Sequence, residues 1–140
     1  MTTAIDTNAI ASLWSGDDQM NQSARTALEA AAGNGALAMS APVFAELLAA
    51  PGITEDFVAE FCARKGIVVE WEITENVWRE AARAFRSHAQ RRRRSGDLHP
   101  RPILADFLIG AHALANGYAL LTMDKSIYRA AFPALKLLTF

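Results

Sequence analysis

Four carboxylates in this chain stand apart from every other charge. Asp6 is the only charged side chain among the first sixteen residues, and it follows the short apolar run "TTAID". Glu46 is the only charge from residue 30 through 54, and its helical neighbours at i±3 and i±4 are Pro42, Val43, Ala49 and Ala50. Asp106 is the only Asp, Glu, Lys or Arg between Arg101 and Asp124, set among Ile103, Leu104, Phe107, Leu108 and Ile109. An ionised carboxylate in such surroundings costs several kcal/mol unless a cation or hydrogen-bond donors meet it. Asp124 comes directly after a fourth apolar run, in "LLTMDKS". Carboxylates gathered at one place repel one another and hold protons near neutral pH unless a cation neutralises them. Hard oxygen ligands of this kind suit Mg²⁺ or Mn²⁺. A divalent ion held beside a phosphate activates water and steadies charge on the phosphate oxygens, which is the chemistry of phosphodiester hydrolysis.

Each acid also has an ordinary use. Asp6, ahead of Thr7 and Asn8, suits a helix cap, Asp124 a turn, and Glu46 a side chain reaching past alanines to water. Asp106 suits a cap least, because Pro102 places the helix start before it. Four such uses falling at one edge of a sheet is the weaker explanation.

The elements that would position these acids alternate between strands and helices. "TTAID" (2–6), "ALAMS" (36–40), "GIVVEW" (66–71) and "YALLTM" (118–123) read as buried strands, and "LKLLTF" (135–140) as a final edge strand. A short helix runs from Asn8 to Trp14, and an alanine-rich one occupies residues 19–35, closed by glycines. Ser40 is placed to cap "APVFAELLAA", with Pro42 in its first turn and Pro51-Gly52 as its stop. Thr54 with Glu55 and Asp56 opens a helix to Lys65, and Thr74 caps a long helix to Arg94 whose apolar side carries Val77, Ala81, Ala84 and Phe85. "SGDLHPRP" (95–102) is a loop, and "PILADFLIGAHALANG" a helix. Strand–helix alternation predicts an α/β fold: a parallel sheet of four to five strands with helices on both faces, in one domain over residues 1–140. Ligands in such sheets bind at the carboxyl ends of the strands. Asp6 and Asp124 fall at strand ends, Glu46 in the helix after the second strand, and Asp106 near the start of its own helix.

Composition narrows the classes. The chain has 140 residues, a formal net charge of −1 and 51% hydrophobic residues, so no overall charge draws it to nucleic acid. Its single cysteine, Cys62, excludes an internal disulfide and suits the core. "MTTAIDTNAI" has neither a basic start nor a long apolar stretch, so no signal peptide is expected and a cytoplasmic location is. Asn116 and Gly117 split the apolar segment 102–123 into two elements, which argues against a membrane span.

"AIDTN", "SAPVFAELL", "ADFLIGAHAL" and "GYALLTMDKSIY", in that order and spacing, resemble the PIN-domain ribonucleases, especially the VapC-type toxins of bacterial toxin–antitoxin pairs. The resemblance runs from about residue 2 to the C-terminus. It implies a PIN-like domain and catalytic, metal-binding acids at Asp6, Glu46, Asp106 and Asp124, supported by Thr7, Asn8 and Thr122. It further implies a Mg²⁺- or Mn²⁺-dependent endoribonuclease with an RNA substrate, a cognate antitoxin protein as inhibitor, and a homodimer. Two departures are His112, where a small or hydroxyl residue is usual, and the dense basic content of "HAQRRRRSGDLHPRP". The alternatives are a PIN-like nuclease for RNA processing or structured DNA, and a non-catalytic nucleic-acid-binding or interaction module. Four retained acids argue against the last.

Arg91, Arg92, Arg93, Arg94 and Arg101 form, with Arg86, the one basic cluster. A solvated helix end, where cations favour the macrodipole, explains it; so does RNA phosphate capture beside the acids, or contact with an acidic antitoxin segment. His88, His99 and His112 lack ligand spacing, and Trp14, Trp71 and Trp78 suit the core, Trp14 being also a candidate to line a partner groove. "AAAGNGA" lacks the Lys-Ser/Thr of a phosphate-binding loop.

Overall fold

The computed structural model describes residues 1–96 and 103–140. Its strands are β1 (Thr3–Ile5), β2 (Leu37–Ser40), β3 (Ile67–Glu70), β4 (Ala119–Thr122) and β5 (Leu137–Thr139). They form one sheet, in the order β3-β2-β1-β4-β5, with every pairing parallel. The helices among the described residues are α1 (Thr7–Leu13), α2 (Asp18–Asn34), α3 (Ala41–Leu48), α4 (Glu55–Lys65), α5 (Glu75–Ser95), α6 (Leu104–Ala115) and α7 (Lys125–Ala131). Every residue of β1, β2 and β4 is buried, which requires cover on both faces of the sheet. The chain builds the sheet outward from β1 in one direction and then resumes on the other side with β4. The β1–β4 boundary is therefore the point where strand order reverses, and the crevice lies at its carboxyl end.

Local chemistry sets the helix boundaries. Asp17, Thr54 and Thr74 each accept from the backbone N–H three residues on, at Met20, Phe57 and Val77. Gly66, at φ 69°, ends α4 in the left-handed conformation that glycine adopts without steric cost. Ser40 departs from expectation: it holds the N-cap position of α3, but its hydroxyl makes no capping bond. Pro42 in the first turn removes one of the N–H groups that a cap normally receives. The helix carrying Asp106 begins at Leu104 with Ile103 as N-cap, so Asp106 sits within its first turn; Pro102 and Arg101 lie outside the described residues.

The core joins Ile5, Ile10, Met39, Val43, Val58, Phe107, Ile109, Leu120 and Leu121, all under 2% exposed, and Cys62 is buried beside it. Two tryptophans do not follow the core expectation. Trp71 is 60% exposed just beyond the edge strand β3, and Trp78 is 47% exposed on α5. Trp14 does pack against the core, edge-on to Phe57 and Phe61.

No sequence pattern marked α7, yet it seats against α6 through a single glycine. A Cβ on Gly110 would collide with the Phe132 ring and approach Tyr128 Cδ1 to 3.1 Å. Overpacking at Gly110→Ala should therefore cost about 1–3 kcal/mol, set against the roughly 1 kcal/mol that replacing a helical glycine with alanine normally returns, for a net loss of stability. Urea unfolding of the two proteins measures the difference, and an unchanged or raised midpoint would refute the close approach.

Candidate active site

Asp6 follows the last residue of β1 and is only 3% exposed. Its Oδ1 accepts the Thr7 N–H at 2.8 Å, so it caps α1 as the simple reading has it. Its Oδ2 accepts two further bonds, from the Thr122 hydroxyl at 2.7 Å and the Tyr128 hydroxyl at 3.0 Å. Burial still dominates its ionisation and pushes its pKa up, against the pull of the Thr122, Tyr128 and Thr7 bonds; Glu46 adds a smaller upward push.

Thr122, the last residue of β4, is fully buried. Its hydroxyl donates to Asp6 and accepts from Asn8 Nδ2 at 3.3 Å and from the Asp124 N–H at 3.0 Å. One donor and two acceptor positions are thereby all used. Asn8 completes the clasp by accepting the Met123 N–H on Oδ1 at 3.1 Å. The backbone after β4 is thus tied to the helix after β1, and Asp124 starts α7 without its carboxylate capping that helix. Glu46, on α3, accepts a 2.6 Å bond from the Thr7 hydroxyl on Oε1. The supporting residues Thr7, Asn8 and Thr122 each hold a neighbouring group, and Thr7 and Thr122 each hold an acid.

Asp106 brings the fourth charge. Its pKa is pushed up to about 6, first by desolvation, then by the charges of Asp6 and Glu46, with a smaller push from Asp124 and a small opposing backbone bond. Asp106 therefore feels the field of the other three acids. They are not closed into a cage: among the described residues, no three acidic, His or Cys side chains already stand at metal-binding distances. The donors are carboxylate oxygens with the Thr7 hydroxyl among them, and no lysine or arginine bonds to any of the four among the described residues. Ser40 adds a buried hydroxyl without a partner at the end of β2, two residues beyond Ala38 as Asp6 is two beyond its partner Ala4. Carboxylates short of positive charge, at a sheet edge with spare oxygen, fit a hard divalent cation.

Tyr128 is the residue that sequence reasoning missed. It is 1% exposed and lies on α7, and its ring reaches Asp6 only because Gly110 gives it room on α6. His112, the departure noted in the sequence, packs away from the acids. It is 2% exposed, and its Nε2 stands 3.0 Å from Glu70 Oε1, while the Tyr118 hydroxyl donates to Glu70 Oε2 at 2.8 Å. The arginine run divides. Arg91 lines a depression with Ala131 and Phe132, whereas Arg93 lines a groove with Trp78 and Phe85. Arg92 is half-buried and Arg94 exposed, and Arg101 lies outside the described residues.

The PIN domain family model matches residues 3–133 of the chain. No curated protein matches it. Among solved structures, VapBC2 from Rickettsia felis bound to a DNA fragment from its promoter is similar at 19% identity, covering 99% of this chain and 98% of that one, with a TM-score of 0.64. A toxin–antitoxin complex from Klebsiella pneumoniae has 20% identity over 98% of this chain and 96% of that one, with a TM-score of 0.65. VapBC-1 from nontypeable Haemophilus influenzae has 20% identity over 99% and 98%, with a TM-score of 0.64. At these identities the likeness is one of fold.

Two outcomes follow from the geometry. Thr122→Val keeps the side-chain shape but strands Asn8 and the Asp124 N–H and removes one of the three donors to Asp6, and should cost about 1–3 kcal/mol, while Thr122→Ser keeps most of the stability. Equal denaturation midpoints for Val and Ser would remove Thr122 from this role. Asp106 governs the second. Its raised pKa means that the metal-free fold holds a proton more tightly than the unfolded chain does. That contribution is complete below about pH 4 and is lost as pH rises through about 6. In chelator, stability should decline across that window, and Asp106→Asn should flatten the decline. At pH 8 the variant should be more stable by about 1–2 kcal/mol, the full linkage value reduced because Asp106 is partly exposed. A variant less stable than the parent at pH 8 would give Asp106 a structural role instead.

Proposed function

Because the chain belongs to the PIN-domain family, we propose that it is a Mg²⁺- or Mn²⁺-dependent endoribonuclease acting as the toxin of a toxin–antitoxin pair. The observation that carries the reading is the charge of Asp6, Glu46, Asp106 and Asp124, which no lysine or arginine among the described residues pairs. Burial, with the added fields of Asp6, Glu46 and Asp124, raises the Asp106 pKa to about 6, an arrangement that a divalent cation relieves. We assign Asp6, Glu46, Asp106 and Asp124 as catalytic, metal-holding residues, in one domain over residues 1–140. When bound, the metal supplies Lewis acidity and an activated water for attack on phosphorus.

The chain's own residues do the positioning. Both lone-pair directions of Asp6 Oδ2 are taken by Thr122 and Tyr128, which leaves Oδ1, engaged only by the Thr7 N–H, as the oxygen to face a cation. Thr7 donates its hydroxyl to Glu46 and so fixes that carboxylate against α1. Asn8 and Thr122 hold the turn that presents Asp124. Of the basic run, Arg91, Arg92, Arg93 and Arg94, with Arg101, are proposed to add phosphate contacts; neighbours on a helix point in different directions, so few of them reach one RNA strand. A toxin that cleaves cellular RNA needs an inhibitor, and the solved relatives from K. pneumoniae and H. influenzae are described as a toxin–antitoxin complex and as VapBC-1. A cognate antitoxin and a homodimer are the partners proposed here, in the cytoplasm; no helix among the described residues is long and apolar enough to cross a membrane.

Purified protein should cleave single-stranded RNA with Mg²⁺ or Mn²⁺ and stop in EDTA with its circular dichroism unchanged. Induction should arrest growth, and Asp6→Asn should lift the arrest at equal expression. RNA cleavage undiminished in chelator would refute the metal role, and arrest that persists with Asp6→Asn would refute the toxin reading.

A further inference from the structure

His112 lines a cavity of 460 Å³ bounded by the end of β3, the first turn of α5 and the last turn of α6. Its Nε2 is spent on Glu70, and its Nδ1 is buried without a partner. Burial lowers the proton affinity of the ring more than Glu70 raises it, so Nε2 donates to the carboxylate and Nδ1 is left as an acceptor. The rest of the lining has the same character. Glu70 accepts from His112 and Tyr118, neutral donors that satisfy its oxygens without cancelling its charge. Glu72 is exposed and pairs with no lysine or arginine among the described residues. Asn116 donates Nδ2 to the His112 carbonyl at 2.8 Å, which leaves the acceptor Oδ1 outside that bond. Ala115 stands at the carboxyl end of α6, where the macrodipole leaves partial negative charge. The amino end of α5, which alone would repel a cation, is met by the Thr74 hydroxyl on the Val77 N–H and by Glu75 in its first turn. Trp71 completes the lining; it is 60% exposed, and Phe44 holds its ring edge-on at 4.7 Å between centroids.

We propose that this cavity binds a small organic cation, an alkylammonium such as a short diamine, with its N–H groups on Glu70, Glu72 and His112 Nδ1 and its charge against Trp71. The inference concerns residues apart from the four acids and does not depend on the nuclease reading. Two carboxylates without a cation, a buried acceptor without a donor and an aromatic ring call for a ligand that is positive and only donates. The carboxylates exclude an anion. A neutral polyol uses the acceptors but leaves both charges unmet. A bare divalent ion fits poorly, because no three acidic, His or Cys side chains among the described residues stand at metal-binding distances. The volume is that of a small-molecule site, which favours a whole free ligand over one inserted lysine side chain of a partner, the other source of the same ammonium group.

The probes are the diamine putrescine and its uncharged twin, butanediol, titrated into the ¹⁵N-labelled full chain with Mg²⁺ in excess to keep the diamine from the four acids. The chain has three tryptophans, and Trp71→Phe identifies the indole N–H signal of Trp71. Putrescine should move the Trp71 indole and the His112 Nδ1 resonances saturably, and butanediol should move neither. Glu72 is exposed and makes no bond that the fold needs, so Glu72→Gln should leave the melting temperature unchanged while weakening putrescine at least about tenfold. Glu72→Lys should abolish binding. A capped Gly-Lys-Gly peptide tests the other source and should bind more weakly than putrescine. The proposal is overturned if putrescine does not bind, if butanediol binds as well, or if the Glu72 variants bind putrescine like the parent. It is overturned equally if the shifts fall on the Trp14 or Trp78 indoles instead, or if the lysine peptide binds more tightly than the diamine.

Discussion

A carboxylate that is 97% removed from solvent must find its donors within the protein, and Asp6 takes them from three separate elements. The Thr7 N–H opens α1, the Thr122 hydroxyl closes β4, and the Tyr128 hydroxyl comes from α7. Losing any one leaves a buried charge short of a partner, which costs more than a typical hydrogen bond contributes. The requirement links the first strand to the fourth at the point where strand order reverses. The Ile5–Leu121 register of β1 and β4 places Thr122 level with Asp6, so the bond between them needs no distortion of the sheet. Thr122 then has just enough capacity left to hold Asn8 and the backbone of Asp124. A serine in its place keeps the bonds but loses the methyl group that fits a fully buried strand end.

Burial makes Asp6 hard to ionise and raises Asp106 as well, and the charge of Asp6 adds to the difficulty at Asp106. A sheet end built only for stability would carry apolar side chains here. The fold tolerates the cluster because the core beneath it is continuous, from Ile5 and Leu121 in the sheet to Phe107 and Ile109 on α6. Local cost at a site held up by a good core is the usual sign of function.

Much of this was legible in the sequence, because it rests on local signals. Isolated acids in apolar runs, the cap residues Thr54 and Thr74, and five short β-rich segments are patterns of near neighbours, and each strand lies within its expected segment. What stayed hidden is tertiary. Helix α7 has seven residues and no periodic stripe, and the reach of Tyr128 to Asp6 spans 122 positions. Gly110 reads as a mild helix weakness until the rings of Tyr128 and Phe132 lie against it. Ser40 looked like a cap because the residue type is right; the proline two places on removes a donor. Trp71 and Trp78 looked like core because hydrophobicity alone does not say which of two adjacent helical stripes, or which side of an edge strand, turns inward.

Helix α6 explains why these separate facts belong to one machine. Its first turn carries Asp106, its middle admits the α7 rings at Gly110, and toward its end His112 meets Glu70 at the end of β3. Burial lowers the proton affinity of His112 more than Glu70 raises it, which favours a neutral imidazole donating from Nε2 to the carboxylate. Glu70 accepts from Tyr118 as well, so both of its oxygens hold the segment around the α6–β4 turn. A helix fixed at its middle by close packing and near its end by a carboxylate has little freedom left in its first turn. Asp106 is thereby held within the field of the other three acids at the cost of raising its own pKa. The same rigidity presents Leu104 beside Trp78 and Phe85 of α5, so the element that aims the fourth acid also forms one wall of their groove.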